Sequence, residues 1–475
     1  MFNHRIIFGS IVLIFSGFAH SQDISTYPPG SPLYEAIKES LLQNGSKAVT
    51  DEQIIKHINK STDLSVVNNE LVEYFSKGFL ESSMDNSQPG NPVLKIYIKN
   101  LSSNDIRYVY SNKKYELVRL QNSRFNKKEV DDINRAIGES LTKNEKLLKL
   151  THGGYYDPES DSFVVKIATD EANDFTETLG PVINALKINI KFIKDESDII
   201  ELTSKPSEIE QLKQENASGF LKLTSADITG GLPISKSSGP NCTIGFSIIH
   251  PNGTGGFITA GHCVNTGDSV RLFDQSSLSY SPVGVTGFSS NGWGNGNDYA
   301  RVNAEPGANY QPYVTRYGDV NKFNTYYSYA WGRYKKPIRT IVSPIQNAPI
   351  CKTGFASGET CGTITNPSTW TVTSGDGWNI VQTLYNIIDS NVCSIQGDSG
   401  GPGYDLNASA AIGIVSAGRS NGNGVCTTGA TVGGKQSRTI FVPIMTALSS
   451  LGVNLLTYSG PSTMSENCSS PVCLK

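Results

Sequence analysis

Gly397-Asp398-Ser399-Gly400-Gly401-Pro402 sets one serine among glycines. A hydroxyl is a weak nucleophile near neutral pH and needs a base beside it. Upstream, Thr259-Ala260-Gly261-His262-Cys263 offers an imidazole. Between the two, Gly294-Asn295-Gly296-Asn297-Asp298-Tyr299-Ala300 carries a carboxylate from a Gly/Asn loop into an alternating run. A carboxylate fixes the imidazole tautomer and stabilises the protonated ring. His262, Asp298 and Ser399 are thus the candidate base, orienting acid and nucleophile. Each has a plainer reading: His262 as a packed core histidine, Ser399 as part of a tight turn. Asp274 and Asp319 also lie between the two motifs. Glycines beside a nucleophile let backbone N–H groups converge on a developing oxyanion, and the N–H groups of Gly397 and Ser399 are the candidates.

The surrounding chain has 475 residues and a net charge of −3, which argues against a nucleic-acid binder built on a basic patch. No apolar run reaches the roughly 18 residues of a membrane helix. The two halves differ. Of the charged residues, 57 lie in 1–225 and 26 in 226–475. Glycine runs the other way, with 11 of 46 before the boundary, and all eight cysteines follow it. Residues 1–21 read as a secretory signal, with His4 and Arg5, the apolar run Ile6–Phe18, and small residues Ala19 and Ser21 before a cut ahead of Gln22. The competing reading is an N-terminal membrane anchor, for which that run is short. An even cysteine count fits an oxidising, extracellular compartment.

Helical spacing is expected over Leu33–Leu42, Ile54–Leu80, Val130–Leu150 and Phe175–Leu186. Strand alternation is expected over Val93–Ile98, Tyr108–Leu120, Ser162–Ile167 and Leu186–Ile193, with a turn at Tyr155–Pro158. Asp195–Gly219 reads as an exposed connection, and no internal repeat is visible. From Ala226 short β-rich runs alternate with Gly, Asn and Ser turns, the rhythm of an all-β barrel or sandwich. These runs include Thr243–Ile249, Gly256–Ala260, Thr363–Thr371 and Ile412–Ser416, and a helix is expected near Val442–Leu451.

Over about 226–458 the three motifs resemble the streptogrisin and α-lytic protease branch of bacterial chymotrypsin-like serine endopeptidases. So do Asn241-Cys242-Thr243-Ile244-Gly245-Phe246, Cys351-Lys352-Thr353-Gly354, Cys361-Gly362-Thr363-Ile364-Thr365, Val392-Cys393 and Ile414-Val415-Ser416-Ala417-Gly418. The resemblance implies an all-β protease domain of two six-stranded antiparallel β-barrels with the site between them. It implies disulfides Cys242–Cys263, Cys351–Cys361 and Cys393–Cys426. Cys468 and Cys473 have no counterpart there, and a short loop closed between them is the default. Zinc is not expected, because the cysteines lack paired metal-ligand spacing.

Ala226-Asp227-Ile228-Thr229-Gly230-Gly231 resembles the family's mature N-terminus, which implies cleavage at Ser225–Ala226. Residues 22–225 then resemble its α+β pro-region, a folding assistant and inhibitor, most clearly at Gly154-Tyr155-Tyr156-Asp157-Pro158. An unrelated N-terminal binding domain is the other reading. Residues 459–475 form a tail. The implied protein is a secreted, self-processing, monomeric serine endopeptidase acting on proteins or peptides through an acyl-enzyme. It needs no cofactor or nucleic acid, and no membrane once the signal is removed. The alternative is a catalytically inactive protease-like binding or adhesion protein. Activity is expected to fall in acid as His262 protonates. The pocket before the scissile bond is expected to involve Ser394, Val415, Ser416, Ala417 and Gly418, with Ser394 and Val415 facing it. Uncharged walls there favour small or medium apolar residues, with Ser, Thr or Ala tolerated. Lys352 is expected to pair with Asp398.

Overall fold

The computed structural model describes residues 29–195, 200–202, 227–236, 241–274, 279–291, 297–316, 334–375, 378–419, 426, 431–432 and 435–460. The expected signal, the Ser225–Ala226 bond and the Cys468–Cys473 pair lie outside these residues.

The N-terminal half is α+β. Helix α1 (Pro32–Gln43) places Leu33, Ile37 and Leu41 on one face at helical spacing. Helix α2 (Asp51–Tyr74) starts at a capping box in which Thr50 and Gln53 satisfy each other's backbone N–H. Side chains of both helices share a core with Phe246, Tyr404 and Leu448 of the C-terminal half.

Two units of the same topology follow. In the first, β1 (Phe79–Asp85) pairs antiparallel with β2 (Val93–Lys99). Helix α3 (Ser103–Tyr110) then crosses to β3 (Val118–Ser123), parallel to β2. In the second, α4 (Lys127–Thr142) and α5 (Glu145–Lys149) precede the antiparallel pair β4 (Thr151–Asp157) and β5 (Ser162–Ile167). Helix α6 (Asn173–Leu186) crosses to β6 (Ile190–Lys194), parallel to β5. The repeat is one of topology and leaves no trace in the sequence.

Several expectations shift here. Tyr108–Leu120 holds the end of α3 and a short 3-10 turn before β3 begins. The expected helix over 54–80 stops at Tyr74, and 130–150 is two helices separated by Asn144, which caps the second. Tyr155–Asp157 belong to β4 rather than to a turn. Within the expected connection, Ile200–Leu202 form β7, a paired strand.

The C-terminal half begins with β8 (Asp227–Gly230) and β9 (Pro233–Lys236). β10 (Asn241–Thr243) and β11 (Ser247–Ile249) are two parts of one bent strand. β12 (Gly255–Thr259), β13 (Ser269–Asp274), β14 (Ser279–Asn291) and β15 (Asp298–Ala304) follow. The ladder runs β10-β9-β13-β14-β15-β12-β11. Because β10 and β11 are continuous, it closes as a six-stranded barrel. Gly245 N–H donates to Ile258 O and Ile258 N–H to Phe246 O across the bend.

Strand β16 (Asn309–Arg316) pairs parallel with β8 and antiparallel with β17 (Tyr334–Pro337). β18 (Thr340–Ile341) leads into the second barrel. That barrel comprises β19 (Pro349–Gly354), β20 (Gly358–Gly375), β21 (Trp378–Ser390), β22 (Pro402–Asp405), β23 (Ala410–Arg419) and one later strand. β24 (Thr431–Val432) and β25 (Lys435–Gln436) form a small ladder before that last strand, β26 (Arg438–Pro443). The order β19-β22-β23-β26-β21-β20 returns to β19 through pairs from Pro349↔Thr363 to Gly354↔Gly358. Helix α7 (Ile444–Leu451) and β27 (Asn454–Leu455) bring the chain back to β11.

The halves join at the hairpin of β20 and β21. β4 adds to its edge in the register Tyr155↔Thr369, Gly154↔Trp370, Gly153↔Thr371. Trp370 and Val372 enter the core of the second N-terminal unit beside Tyr156 and Phe163.

Candidate active site

His262 lies in a one-turn 3-10 helix, Gly261–Cys263, at the end of β12. A disulfide from Cys263 to Cys242 pins that turn to β10. Gly261 is required there, because a Cβ would stand 1.5 Å from Ser290 O. Asp298 is the first residue of β15, the strand beside β12. Its Oδ2 is 2.9 Å from His262 Nδ1, and its Oδ1 accepts the His262 N–H at 2.8 Å. Ser416 of β23 donates its hydroxyl to the same Oδ2 at 2.5 Å. Asp298 is buried. Burial pushes its carboxyl up, but the His262 charge and the hydrogen bonds from His262 and Ser416 outweigh this and hold it below the ordinary value. A carboxylate accepting at Nδ1 leaves the Nε2 lone pair of a neutral ring as the proton acceptor.

Ser399 lies in the turn before β22, between Gly397 at φ 100° and Gly400 at φ 84°. A Cβ on Gly400 would stand 2.0 Å from Thr259 Oγ1. The first barrel grips this turn through Thr243. Its N–H donates to Ser399 O at 2.8 Å and its hydroxyl to Gly397 O at 2.7 Å. The second barrel grips it through Gly400 N–H to Val415 O and Val415 N–H to Gly401 O. Thr243 is a site residue that the sequence reading missed. It sits in the motif around Cys242, where a threonine in a strand reads only as β-branched.

Beneath the turn, Asp398 is fully buried and 2.7 Å from the equally buried Lys352 ammonium. Of the other pocket candidates, Ser394 Oγ is 2.9 Å from Thr439 Oγ1, which also donates to Val392 O. A Cβ on Gly418 would stand 1.6 Å from Ser394 Oγ, so only glycine keeps that edge clear. Thr439 also escaped the sequence reading. Ser416 turns its side chain to Asp298. Val415 is buried and packs in a cluster with Val392, Ile412 and Phe441. Ala417 and Gly418 present backbone to β7.

Further disulfides join Cys351 to Cys361 and Cys393 to Cys426. Cys242, His262 and Cys263 group closely enough to suggest a metal, but both sulfurs are spent in a disulfide and are not thiolate ligands. Asp274 closes β13, and Asp319 lies outside the described residues.

The chain is 29% identical over 236 residues to streptogrisin-C of Streptomyces griseus, covering 50% of this chain and 42% of that protein. It is 28% identical over 230 residues to streptogrisin-A of the same organism, covering 48% and 61%. About half of this chain is homologous to the streptogrisins. Serine protease 1 of Streptomyces fradiae matches similarly, at 28% over 232 residues. The streptogrisin-like stretch spans about half the length of the curated relatives it matches. Among solved structures, Thermobifida fusca protease A (26% identical) and Cellulomonas bogoriensis chymotrypsin (27%) are each covered completely. Each covers 49% of this chain at a TM-score of 0.36. No protein-family model matches.

Proposed function

We propose that this chain is a secreted serine endopeptidase made as a self-processing zymogen, with residues 22–225 as pro-region and 226–458 as protease. Ser399 Oγ attacks the substrate carbonyl while His262 Nε2 takes its proton. The N–H groups of Gly397 and Ser399 hold the oxyanion, and the leaving amine recovers the proton from His262. Water then hydrolyses the acyl-enzyme. The observation that carries this reading is the His262–Asp298 pair, fixed at ring and backbone and buttressed by Ser416.

The hydroxyl pair Ser394–Thr439 beside Gly418 supports a preference for small or medium uncharged residues before the scissile bond. The pairing of β7 with the strand that follows Ser416 supports a pro-region that blocks the site. Three disulfides support an oxidising, extracellular setting. The test is fluorophosphonate labelling and a peptide panel on the secreted product, wild type beside Ser399→Ala. Labelling and hydrolysis that vanish in the variant are expected. Equal hydrolysis by both, or preference for Arg or Glu before the cut, overturns the mechanism or the specificity respectively.

A further inference from the structure

Thr243 is the last residue of β10, a strand whose ladder has β9 on one side. Its N–H leaves the barrel and donates to Ser399 O at 2.8 Å. Its side chain is fully buried, and its hydroxyl has two partners with fixed roles. The Phe355 N–H can only donate to it, at 3.1 Å. Gly397 O can only accept from it, at 2.7 Å. The hydroxyl proton is therefore directed at Gly397 O. One residue of the first barrel thus holds the carbonyls of both Gly397 and Ser399, the two residues whose N–H groups are the candidates for binding an oxyanion.

Gly397 cannot hold its own conformation. It sits at φ 100°, where glycine is permitted and where no side chain restrains it. Each residue has only two soft dihedrals, so with φ set the direction of the Gly397 carbonyl fixes ψ. That angle decides how the Gly397 N–H is turned relative to the N–H groups that follow it. To share the charge of one oxygen, the Gly397 and Ser399 N–H groups must face a single point at about 2.7–3.1 Å. Asp398 between them is tied from below by Lys352 and by the N–H groups of Ala356 and Ser357. Those bonds fix where the turn sits, and Thr243 fixes how the peptides on either side of Asp398 are rotated. Thr243 O also accepts from Thr259 Oγ1 at 2.9 Å, three residues ahead of His262, and the neighbouring Cys242 is bonded to Cys263. The anchor of the serine turn is thereby tied to the turn that carries the base.

We propose that Thr243 is a positioning residue for the oxyanion hole. Its hydroxyl and N–H hold the Gly397 and Ser399 carbonyls and so aim the two N–H groups at the oxygen that becomes charged. This rests on the serine endopeptidase reading above. Thr243 touches neither substrate nor the reacting atoms. Its hydroxyl acts in the transition state, when the carbonyl oxygen of the substrate gains charge, and adds little to binding of the uncharged ground state.

The test compares wild type, Thr243→Val, Thr243→Ala and Thr243→Ser as secreted products. Valine keeps the shape and the N–H and removes the hydroxyl, whereas serine keeps the hydroxyl and removes the methyl. The readouts are Tm, kcat and KM on a peptide amide, and the affinity of a peptide trifluoromethyl ketone, whose adduct with Ser399 places an oxyanion in the hole. In Thr243→Val, kcat should fall roughly tenfold to a hundredfold, less than for outright loss of an oxyanion donor, with KM within about twofold. Affinity for the ketone should weaken by a similar factor. Thr243→Ser should keep kcat within about threefold of wild type even where its Tm falls as far as that of Thr243→Val. Equal kcat losses in the serine and valine variants, following Tm, overturn the proposal. So does a loss carried by KM alone, or a Thr243→Val kcat within about threefold of wild type. If neither Thr243→Val nor Thr243→Ala is recovered folded, the hydroxyl is a requirement of folding and the proposal falls as well. In each of these cases a wild type that cleaves peptide and reacts with a fluorophosphonate leaves the peptidase reading intact. A wild type that does neither overturns both.

Discussion

Asp398 collects donors from every side of the turn that presents Ser399. Lys352 Nζ approaches to 2.7 Å, Ser357 Oγ to 2.5 Å, and the N–H groups of Ala356, Ser357 and Ile395 to 3.2, 2.9 and 3.0 Å. The Lys352 ammonium also donates to Gly358 O and to Ser357 Oγ. Burial lowers the Lys352 pKa, and the Asp398 charge opposes that shift. Removing one partner of a buried pair strands the other charge in a dry interior, at a cost of about 3–5 kcal/mol. Lys352→Met should therefore lower Tm and kcat together, because the turn carrying the Gly397 and Ser399 N–H groups loses its anchor. Ser357→Ala removes one hydroxyl and should cost only about 1–3 kcal/mol. Thermal melts beside kcat decide this, and an unchanged Tm in Lys352→Met would exclude the anchor. Asp298→Asn tests a different dependence. An amide there favours the wrong imidazole tautomer, so kcat should fall on the order of 10⁴-fold with Tm nearly kept. A loss under about tenfold would remove Asp298 from the orienting role.

Among the elements, the hairpin of β20 and β21 does the most joining. Gly153 sits at φ 127°, where a Cβ would meet Trp370 O at 2.2 Å, and Thr369 Oγ1 donates to Gly154 O. Gly153→Val should push β4 off the hairpin. In a Ser399→Ala background, hydrogen exchange at the Thr369–Thr371 amides should quicken roughly tenfold or more for each 1.4 kcal/mol of pairing lost. Unchanged exchange would mean that the strand addition contributes no protection. The β-rich texture of the C-terminal half was legible in the sequence because glycine-rich punctuation marks it, and His262 and Asp298, which the structure pairs, stand in chemically distinctive motifs; the two barrels followed from the resemblance. The elements that misread did so for local reasons. Aromatic alternation over Tyr108–Leu120 imitated a strand, although the capping box of Ser102 and Asp105 marks the start of α3. The repeated topology of the N-terminal units was invisible because pairing direction depends on partners far along the chain. Thr243 and Thr439 were hidden for the same reason: a strand threonine acquires a role only from what the fold sets against it.

At the scale of the molecule, the halves face each other across a polar cavity, with Glu81, Lys95 and Asp157 on one side and Gln346, Asn347 and Asn366 on the other. The α1 face and the added strand β4 pack against the barrels and share their cores, so the stability of the N-terminal half is coupled to that of the rest. Burial pushes the Glu81 carboxyl up to about 8, opposed by Lys127 and helped by Asp157. In the unfolded chain it titrates near 4.5. Below that pH both states hold the proton and Glu81 makes no difference. Between the two values the unfolded chain has released a proton that the folded one keeps, so stability falls as pH rises. Glu81→Gln removes this dependence and should stabilise the chain by at most ~3 kcal/mol at pH 7. His57 acts in the opposite direction. Burial lowers it to about 4, so its contribution is lost as pH falls from its unfolded value of 6.5. Its effect is common to both chains and cancels from the comparison. In a Ser399→Ala background, calorimetry should show the Glu81→Gln gain in Tm at pH 7 and its disappearance at pH 4. An equal gain at both pH values would locate the benefit in packing or hydrogen bonding, and no gain at pH 7 would mean that Glu81 ionises in place.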